Sequence, residues 1–339
     1  MVYGSRNRAI GLELDTGAAR AVELTQSGQG VKLTALGGIS LPKGAVEEGM
    51  VLQPEEVGRA LRTLWAARGI RGRQVLLGIS NQGVLVRYAT MPKVPPDKLE
   101  NVVRYHGQEY LPIPLANVVL DYLVIGETTR EAGEALEVLL VAARRDMLEG
   151  FMKALSCANL EPEDIDVSSL ALTRVLPPVT GNMTVLTVNA ANGLSNILIT
   201  SRGMPRLARL VSVKMKDIAD QLRFSLDEVL AGMAQPSEEK DAFLSAWFNN
   251  LAGEIRSSIN YFQSQEDATG VEEIYINGRG ARLPGIVEHL EDQLGIPVRK
   301  FNPLERYHAA AFKKAGFQGE ALEYAISAGL ALRGMGGCN

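Results

Sequence analysis

Strand-type and helix-type patterns of hydrophobic residues alternate along most of the chain. In the first part, two strands flank a short turn at Asp15-Thr16-Gly17. The predicted elements there are strands at 9–14, 19–25, 31–40 and 74–80 and a helix at 54–67 that has proline in its first turn. This alternation favours an α/β fold over separate all-α and all-β domains.

A separate module is predicted to begin near residue 84. Its predicted elements are a strand at 84–90, a helix that ends before residue 111, strands at 118–125 and 136–143, and a helix at 147–157. In the first helix Leu99, Val103 and Tyr110 share one face, and Pro112 and Pro114 stop the helix. The order strand, helix, strand, strand, helix indicates a compact inserted module.

The second part of the chain repeats the opening pattern of strand, turn and strand. It continues with a helical region at 215–263 broken around 235–237, a strand at 273–277, a glycine loop and a helix at 284–294. We therefore predict a first domain at 1–83 and 164–180, an inserted subdomain at 84–163, a second domain at 181–334 and a flexible tail at 335–339.

Composition and charge argue against nucleic acid and lipid as direct partners of this chain. With 35 basic and 39 acidic residues the net charge is −4, so no overall field attracts nucleic acid or anionic lipid. The two cysteines match neither a disulfide framework nor a zinc pattern, which is typical of a reducing cytoplasm. No stretch has the ~18 apolar residues that span a bilayer. We expect no nucleic-acid partner and no direct membrane insertion.

Short motifs occur in a specific order along nearly the whole chain. They are Gly11-Leu12-Glu13, Arg20-Ala21-Val22-Glu23-Leu24, Leu41-Pro42-Lys43-Gly44-Ala45-Val46, Glu109-Tyr110-Leu111-Pro112-Ile113, Asp121-Tyr122, Val141-Ala142-Ala143, Ile165-Asp166-Val167, Glu254-Ile255-Arg256 and Gly278-Arg279-Gly280-Ala281-Arg282-Leu283-Pro284-Gly285. Together with the two similar halves, this order resembles the actin-like ATPases and, among them, the PilM family of type IV pilus assembly proteins. The resemblance implies duplicated actin-like (ribonuclease H-like) domains with an inserted FtsA/PilM-type subdomain in the first half.

The resemblance also implies where ATP and Mg²⁺ would bind. Acidic turns hold the hydrated metal and cradle the phosphates, and a helix and a glycine loop enclose adenosine. The corresponding residues are Glu13, Asp15, Thr16, Gly17, Asn189, Glu254, Ser257, Ser258, Gly278 and Gly280, with Glu13 and Asp15 as the metal ligands if Mg-ATP binds.

Several of these positions depart from what nucleotide binding needs. The simplest alignment puts Asp15 where the family has a phosphate-side glycine, although a shift of two residues makes Asp15-Thr16-Gly17 the acidic turn. Asn189 replaces the second acid, and Ser257 replaces a cation that packs on adenine. Val213-Lys214 replaces a glycine pair at a helix start. We therefore expect a degenerate site with weak or absent ATP binding, and we assign no catalytic residue or cofactor.

In the PilM family the groove beside the inserted subdomain holds the N-terminal tail of PilN, a bitopic inner-membrane protein. Residues of the module that could form apolar pockets for such a tail, or belong to its core, are Leu85, Tyr88, Tyr105, Tyr110, Leu111 and Ile113. The resemblance thus implies a cytoplasmic scaffold held at the inner membrane by a PilN-like partner, with the pilus motor ATPase as a further candidate partner. The alternative is an actin-like ATPase whose nucleotide state switches partner binding. A scaffold of the GspL type in secretion shares this architecture.

Overall fold

Two five-stranded mixed sheets, one in each half of the chain, organise the fold. The computed structural model describes residues 7–28, 30–130, 133–222, 226–231, 238–265, 268–305, 307 and 320–336. The strands are β1 (Arg8–Asp15), β2 (Ala18–Ser27), β3 (Gly30–Ser40), β4 (Val46–Glu47), β5 (Met50–Val51), β6 (Gln74–Ile79), β7 (Val84–Pro92), β8 (Val118–Arg130), β9 (Gly133–Arg144), β10 (Glu161–Val167), β11 (Thr184–Asn189), β12 (Ser195–Ser201), β13 (Met204–Val211), β14 (Glu273–Asn277) and β15 (Val298–Lys300). The helices are α1 (Pro54–Arg68), α2 (Pro96–Tyr110), α3 (Arg145–Cys157), α4 (Ser168–Ala171), α5 (Met215–Leu222), α6 (Leu226–Ala231), α7 (Glu238–Gln263), α8 (Ile286–Leu294) and α9 (Ala325–Gly334). The predicted α/β class is confirmed.

The first sheet has the strand order β10-β6-β1-β2-β3 and is covered by helices on both faces. Side chains of β1 alternate between the faces, so Ile10 and Leu12 pack towards α1 and α3 while Ala9 packs towards α9. Gly11 permits the close approach of α9, because a Cβ atom there would lie 2.0 Å from the Ser327 carbonyl oxygen. The last described helix of the chain is therefore part of the first half's core.

The second sheet has the strand order β13-β12-β11-β14-β15. Helix α7 packs its apolar stripe, which includes Leu251 and Ile255, on the core that this sheet forms. Strand β11 runs parallel to β14, with Asn189 opposite Asn277 at the carboxyl ends of the two strands. That edge of the second sheet faces the end of β1, so the two sheets meet at the predicted nucleotide site.

The inserted module is built on a three-stranded antiparallel sheet of order β7-β9-β8. Helix α2 covers one face, where Leu99 and Val103 pack with Met91 and Leu140. The predicted order of its first four elements is confirmed.

The sequence predicts helix α3 as part of the inserted module, but α3 packs against α1. Phe151 and Leu155 of α3 belong to the core of the first sheet. Gly58 of α1 makes the crossing close, since a Cβ atom there would lie 2.4 Å from the Cβ atom of Cys157. The amphipathic pattern of α3 identified a buried face correctly, but a periodic pattern does not specify which neighbour covers that face.

Three other local predictions have different outcomes. The helix predicted from residue 284 begins at Ile286, because Gly285 has a φ of 77° and the preceding residues form a short 3₁₀ turn. Met335, predicted as part of a flexible tail, is only 5% exposed and packs in the core beside α9. The predicted helix break at 235–237 and the end of the tail, 337–339, lie outside the described residues.

Candidate functional site

The first turn of the candidate site joins β1 to β2. Asp15 is the last residue of β1, and Gly17 has a φ of 71°, which lets the chain reverse within two residues. Register across this hairpin places Glu13 opposite Arg20, and Asp15 lies two residues further along the same face. Two carboxylates and one guanidinium therefore point from β1 and β2 towards the second half.

Arg20 lies at the centre of a buried cluster of charges. Its Nη1 atom is 3.5 Å from Asp15 Oδ2 and 3.9 Å from Glu13 Oε2, and its Nη2 atom donates a 3.0 Å hydrogen bond to Glu323 Oε2. All four residues are less than 9% exposed. The cluster thus ties the β1–β2 hairpin to the segment that precedes α9.

Burial and pairing affect these carboxyl groups differently. Desolvation raises the pKa of Glu13 to about 8, although Arg20 opposes the shift, and Glu13 Oε2 accepts no hydrogen bond from the described residues. Burial also disfavours the charged form of Glu323, but Arg20, Arg279 and Arg282 outweigh it and lower the pKa of this carboxyl group. At neutral pH the cluster therefore holds Glu323 ionised and Glu13 largely protonated.

The second turn of the site follows β11 and contacts the first turn directly. The backbone N–H of Asn192 donates to Asp15 Oδ2 at 2.9 Å, and that of Gly193 donates to Asp15 Oδ1 at 3.1 Å. The Asn192 side chain donates back to the Thr16 carbonyl oxygen at 3.0 Å. A Cβ atom on Gly193 would lie 2.4 Å from Thr16 Oγ1, so the two turns are in contact. The cavity beside Asp15 has a volume of about 20 Å³, enough for about one water molecule.

The predicted glycine loop packs against the second turn. Gly278 has a φ of 82°, and a Cβ atom there would lie 2.6 Å from the Ala190 carbonyl oxygen. A Cβ atom on Gly280 would meet the Ala190 and Trp247 side chains at 2.7 and 2.8 Å. These glycines are required by close packing of the chain on itself.

The polar stripe of α7 binds an arginine from β13. Arg209 donates to Ser258 Oγ at 2.9 Å and to Ser257 Oγ at 3.4 Å, and it lies 3.3 Å from a Glu254 carboxylate oxygen. The stripe and the glycine loop therefore have different neighbours. Asn189, the remaining predicted residue, donates a 2.6 Å hydrogen bond to the side chain of Asn277.

The six residues predicted to bind a partner do not form one surface. Leu85 and Ile113 are half-buried around Leu111, and these three form one apolar cluster with Val118 and Ala142. The Gln108 side chain organises the loop that carries Ile113: it donates to the carbonyl oxygens of residues 111 and 113 and accepts from the backbone N–H of residue 115.

The other three predicted residues have separate environments. Tyr110, the last residue of α2, packs against the core between α2 and the module's sheet and donates to the Thr90 carbonyl oxygen at 3.2 Å. Tyr105 is 78% exposed on α2. Tyr88 lies on the opposite face of β7, where its hydroxyl accepts a 2.8 Å hydrogen bond from Arg206 of the second half.

The candidate site lies in a cleft between the two halves, and the sequence analysis did not identify several of its residues. The partner of Glu13 could have been found, because a two-residue turn at 16–17 places Arg20 directly across the hairpin. Glu323 carries no comparable signal, since 303 residues separate it from Arg20. Asn192 and Gly193 lie in a turn whose importance depends on the packing of the two halves.

Within the described residues, no group of histidine, cysteine, aspartate and glutamate side chains has the arrangement of a metal site. In the same part of the chain, no helix is both long and apolar enough to cross a membrane.

Comparison with known proteins identifies the family. The family model described as type IV pilus assembly protein PilM matches residues 11–201 and 215–335. A chain of a solved PilM-PilN type IV pilus biogenesis complex is 27% identical over 98% of this chain and 99% of that chain, with a TM-score of 0.85. The ethanolamine utilization protein EutJ from Carboxydothermus hydrogenoformans (15% identity, 98% and 92% coverage, TM-score 0.56) and MreB5 of Spiroplasma citri bound to AMPPNP (11% identity, 96% and 95% coverage, TM-score 0.53) share the fold. The predicted actin-like architecture is thereby confirmed, and this chain belongs to the PilM family of type IV pilus assembly proteins.

Proposed function

We propose that this protein is a scaffold of type IV pilus assembly, or of a related secretion or DNA-uptake system, that works without binding ATP. In this proposal it lies at the cytoplasmic face of the inner membrane and binds the N-terminal tail of a PilN-like bitopic protein. Its family and its similarity to a chain of a PilM-PilN complex support the assembly role and the choice of partner.

The observation that carries the nucleotide-independent part is the direct contact between the two turns of the cleft. The Asp15 carboxylate accepts hydrogen bonds from the backbone N–H groups of Asn192 and Gly193. Backbone N–H groups of this kind are the donors that bind phosphate in proteins. A phosphate in that position would meet the Asp15 carboxylate at close range, and like charges repel strongly where water is excluded. A cavity that Asp15 lines together with Ser80 and Asn196 has a volume of only about 20 Å³, so a triphosphate with its metal would require the two turns to separate. The acidic turn and the small cavity therefore support a cleft that works without Mg-ATP.

The surface best suited to an extended tail is the apolar cluster in which half-buried Leu85 and Ile113 pack around buried Leu111. Leu85 and Ile113 are partly exposed, and the Gln108 side chain holds the loop that carries Ile113, so the surface is formed before a ligand arrives. Apolar side chains of a tail could bury their surface there at about 25 cal/mol per Å².

Titration with a synthetic tail peptide of the cognate PilN-like protein tests the partner assignment. Ile113→Asp places a charge in the cluster and should weaken binding at least about tenfold, because the carboxylate must be desolvated. Leu52→Asp is the matched control, since Leu52 is an apolar side chain, 58% exposed, in the first half. Equal affinity of the wild type and Ile113→Asp for the peptide would contradict this assignment of the surface.

Thermal unfolding with and without millimolar Mg-ATP tests the alternative, an ATPase whose nucleotide state switches partner binding. A ligand present at 100 times its Kd adds about 2.7 kcal/mol of stability. We expect no increase in the melting temperature of the wild type. A clear increase would favour the ATP-dependent switch.

A further inference from the structure

We infer that Asp15 is an internal ligand of the cleft: its carboxylate occupies the anion-binding N–H groups of the second turn and thereby holds the two halves closed. This rests on the proposed function only in treating the cleft as a site that does not take ATP. Closure in this protein would then be encoded in the chain itself and would not depend on a bound nucleotide.

Three backbone N–H groups converge on this one carboxylate. Thr16 donates to Asp15 Oδ1 at 2.7 Å, Gly193 donates to the same oxygen at 3.1 Å, and Asn192 donates to Oδ2 at 2.9 Å. Successive backbone N–H groups that point at one anion form the type of nest in which proteins bind phosphate. Two of the three donors come from the other half of the chain, so the carboxylate joins the halves as a bridging phosphate would.

The charge of the internal ligand is compensated within the cluster. Asp15 is 8% exposed, and the Arg20 guanidinium lies 3.5 Å from its Oδ2 atom. Hydrogen bonds from N–H groups to a buried carboxylate are charge-assisted and stronger than those between neutral groups. The anion and its cation are therefore both supplied by the β1–β2 hairpin.

Further contacts across the cleft act in the same direction. The Asn192 side chain donates to the Thr16 carbonyl oxygen, and Ser80 Oγ donates to Asn196 Oδ1 at 2.8 Å. Lys214, the second residue of the Val213-Lys214 pair that replaces the phosphate-binding glycines, forms an ion pair with Glu48 of the first half. These two hydrogen bonds and one ion pair also join the two halves across the cleft.

Hydrogen–deuterium exchange of the full chain tests the inference at the amide groups of Asn192 and Gly193. In Asp15→Ala we expect these amides to exchange about tenfold faster or more, because each loses a charge-assisted hydrogen bond. Asp121→Asn is the matched control. The Asp121 carboxylate accepts a hydrogen bond from the backbone N–H of the next residue, Tyr122, as that of Asp15 does from Thr16. Unlike Asp15, Asp121 is exposed on β8. If Asp15→Ala folds poorly, Asp15→Asn keeps the size and removes the charge. Exchange within twofold of the wild type in the folded variant would overturn the inference.

A disulfide cross-link measures closure itself. The Ser80→Cys and Asn196→Cys pair replaces two side chains that are in hydrogen-bond contact across the cleft. We expect slower formation of this disulfide when Asp15→Ala is added, and an unchanged rate would overturn the role of Asp15 in closure. Both readouts are made without a tail peptide, so a failure of tail binding leaves them interpretable and is distinguished from a failure of the internal ligand.

Discussion

Replacing Glu13 by glutamine should remove a pH-dependent cost of folding. Glu13 is 5% exposed, and burial raises its pKa from the ordinary 4.5 to about 8. Between these two values the folded protein keeps a proton on Glu13 that the unfolded chain has lost. The stability of the wild type is therefore highest, with respect to this group, below pH 4.5 and falls as the pH rises towards 8.

The magnitude follows from proton linkage. A full difference of one bound proton changes the free energy of unfolding by about 1.4 kcal/mol per pH unit. Over the interval from pH 4.5 to pH 8 the wild type loses at most about 5 kcal/mol through Glu13. Glutamine has the size of the protonated acid but does not titrate. The stability of Glu13→Gln relative to the wild type should therefore increase from pH 5 to pH 8 and level off above pH 8.

Urea unfolding at intervals of half a pH unit from pH 5 to pH 9 measures this difference. Glu55→Gln is the control: the hydrogen bond from Lys153 lowers the pKa of the exposed Glu55 carboxyl group, which is ionised in both states over this range. Its difference from the wild type should not change with pH. A constant difference between Glu13→Gln and the wild type from pH 5 to pH 8 would refute the protonation of buried Glu13.

Two further substitutions test how the inserted module and α3 are attached. Arg206→Met removes the 2.8 Å hydrogen bonds to Tyr88 and Glu137, and we expect a loss of about 1–2 kcal/mol in urea unfolding, together with faster amide exchange in β7. A variant as stable as the wild type would argue against this contact between the module and the second half. Gly58→Ala should cost about 1–3 kcal/mol by overpacking the contact of α1 with Cys157. Its control, Gly253→Ala, lies in α7, where no described atom outside its own helix is within 4 Å of the added Cβ, and it should be neutral or stabilising. Equal effects of the two changes on the melting temperature would contradict the packing of α3 on α1.

Much of the fold could be predicted because its signals are local. The hairpin of β1 and β2 follows from two strand patterns around a two-residue turn, and α1 follows from its apolar spacing and its first proline. The order of elements in the inserted module was predictable for the same reason. Such patterns depend only on residues close to one another in the sequence.

The candidate site was harder to predict because its contacts join distant segments. Asp15 is 177 residues from Asn192, and Arg20 is 303 residues from Glu323. The sequence indicated that Asp15 is unfavourable for a phosphate, but it could not indicate which groups satisfy the carboxylate. The alternation of side chains along β7 could indicate on which face Tyr88 lies. It could not indicate that the neighbour of Tyr88 is Arg206, which belongs to the other half.

The packing of α9 on β1 has a consequence for biosynthesis. Gly11 contacts Ser327, and Glu323 pairs with Arg20, so the core of the first sheet is completed by a segment that is synthesised long after β1 and β2: Glu323 follows Arg20 by 303 residues. Until then the nascent chain exposes one apolar face of that sheet and holds an arginine without its closest carboxylate. We therefore expect ribosome-bound chains that stop before residue 320 to bind chaperones and to be cleaved readily by protease, whereas chains with residues 320–336 outside the exit tunnel should become resistant.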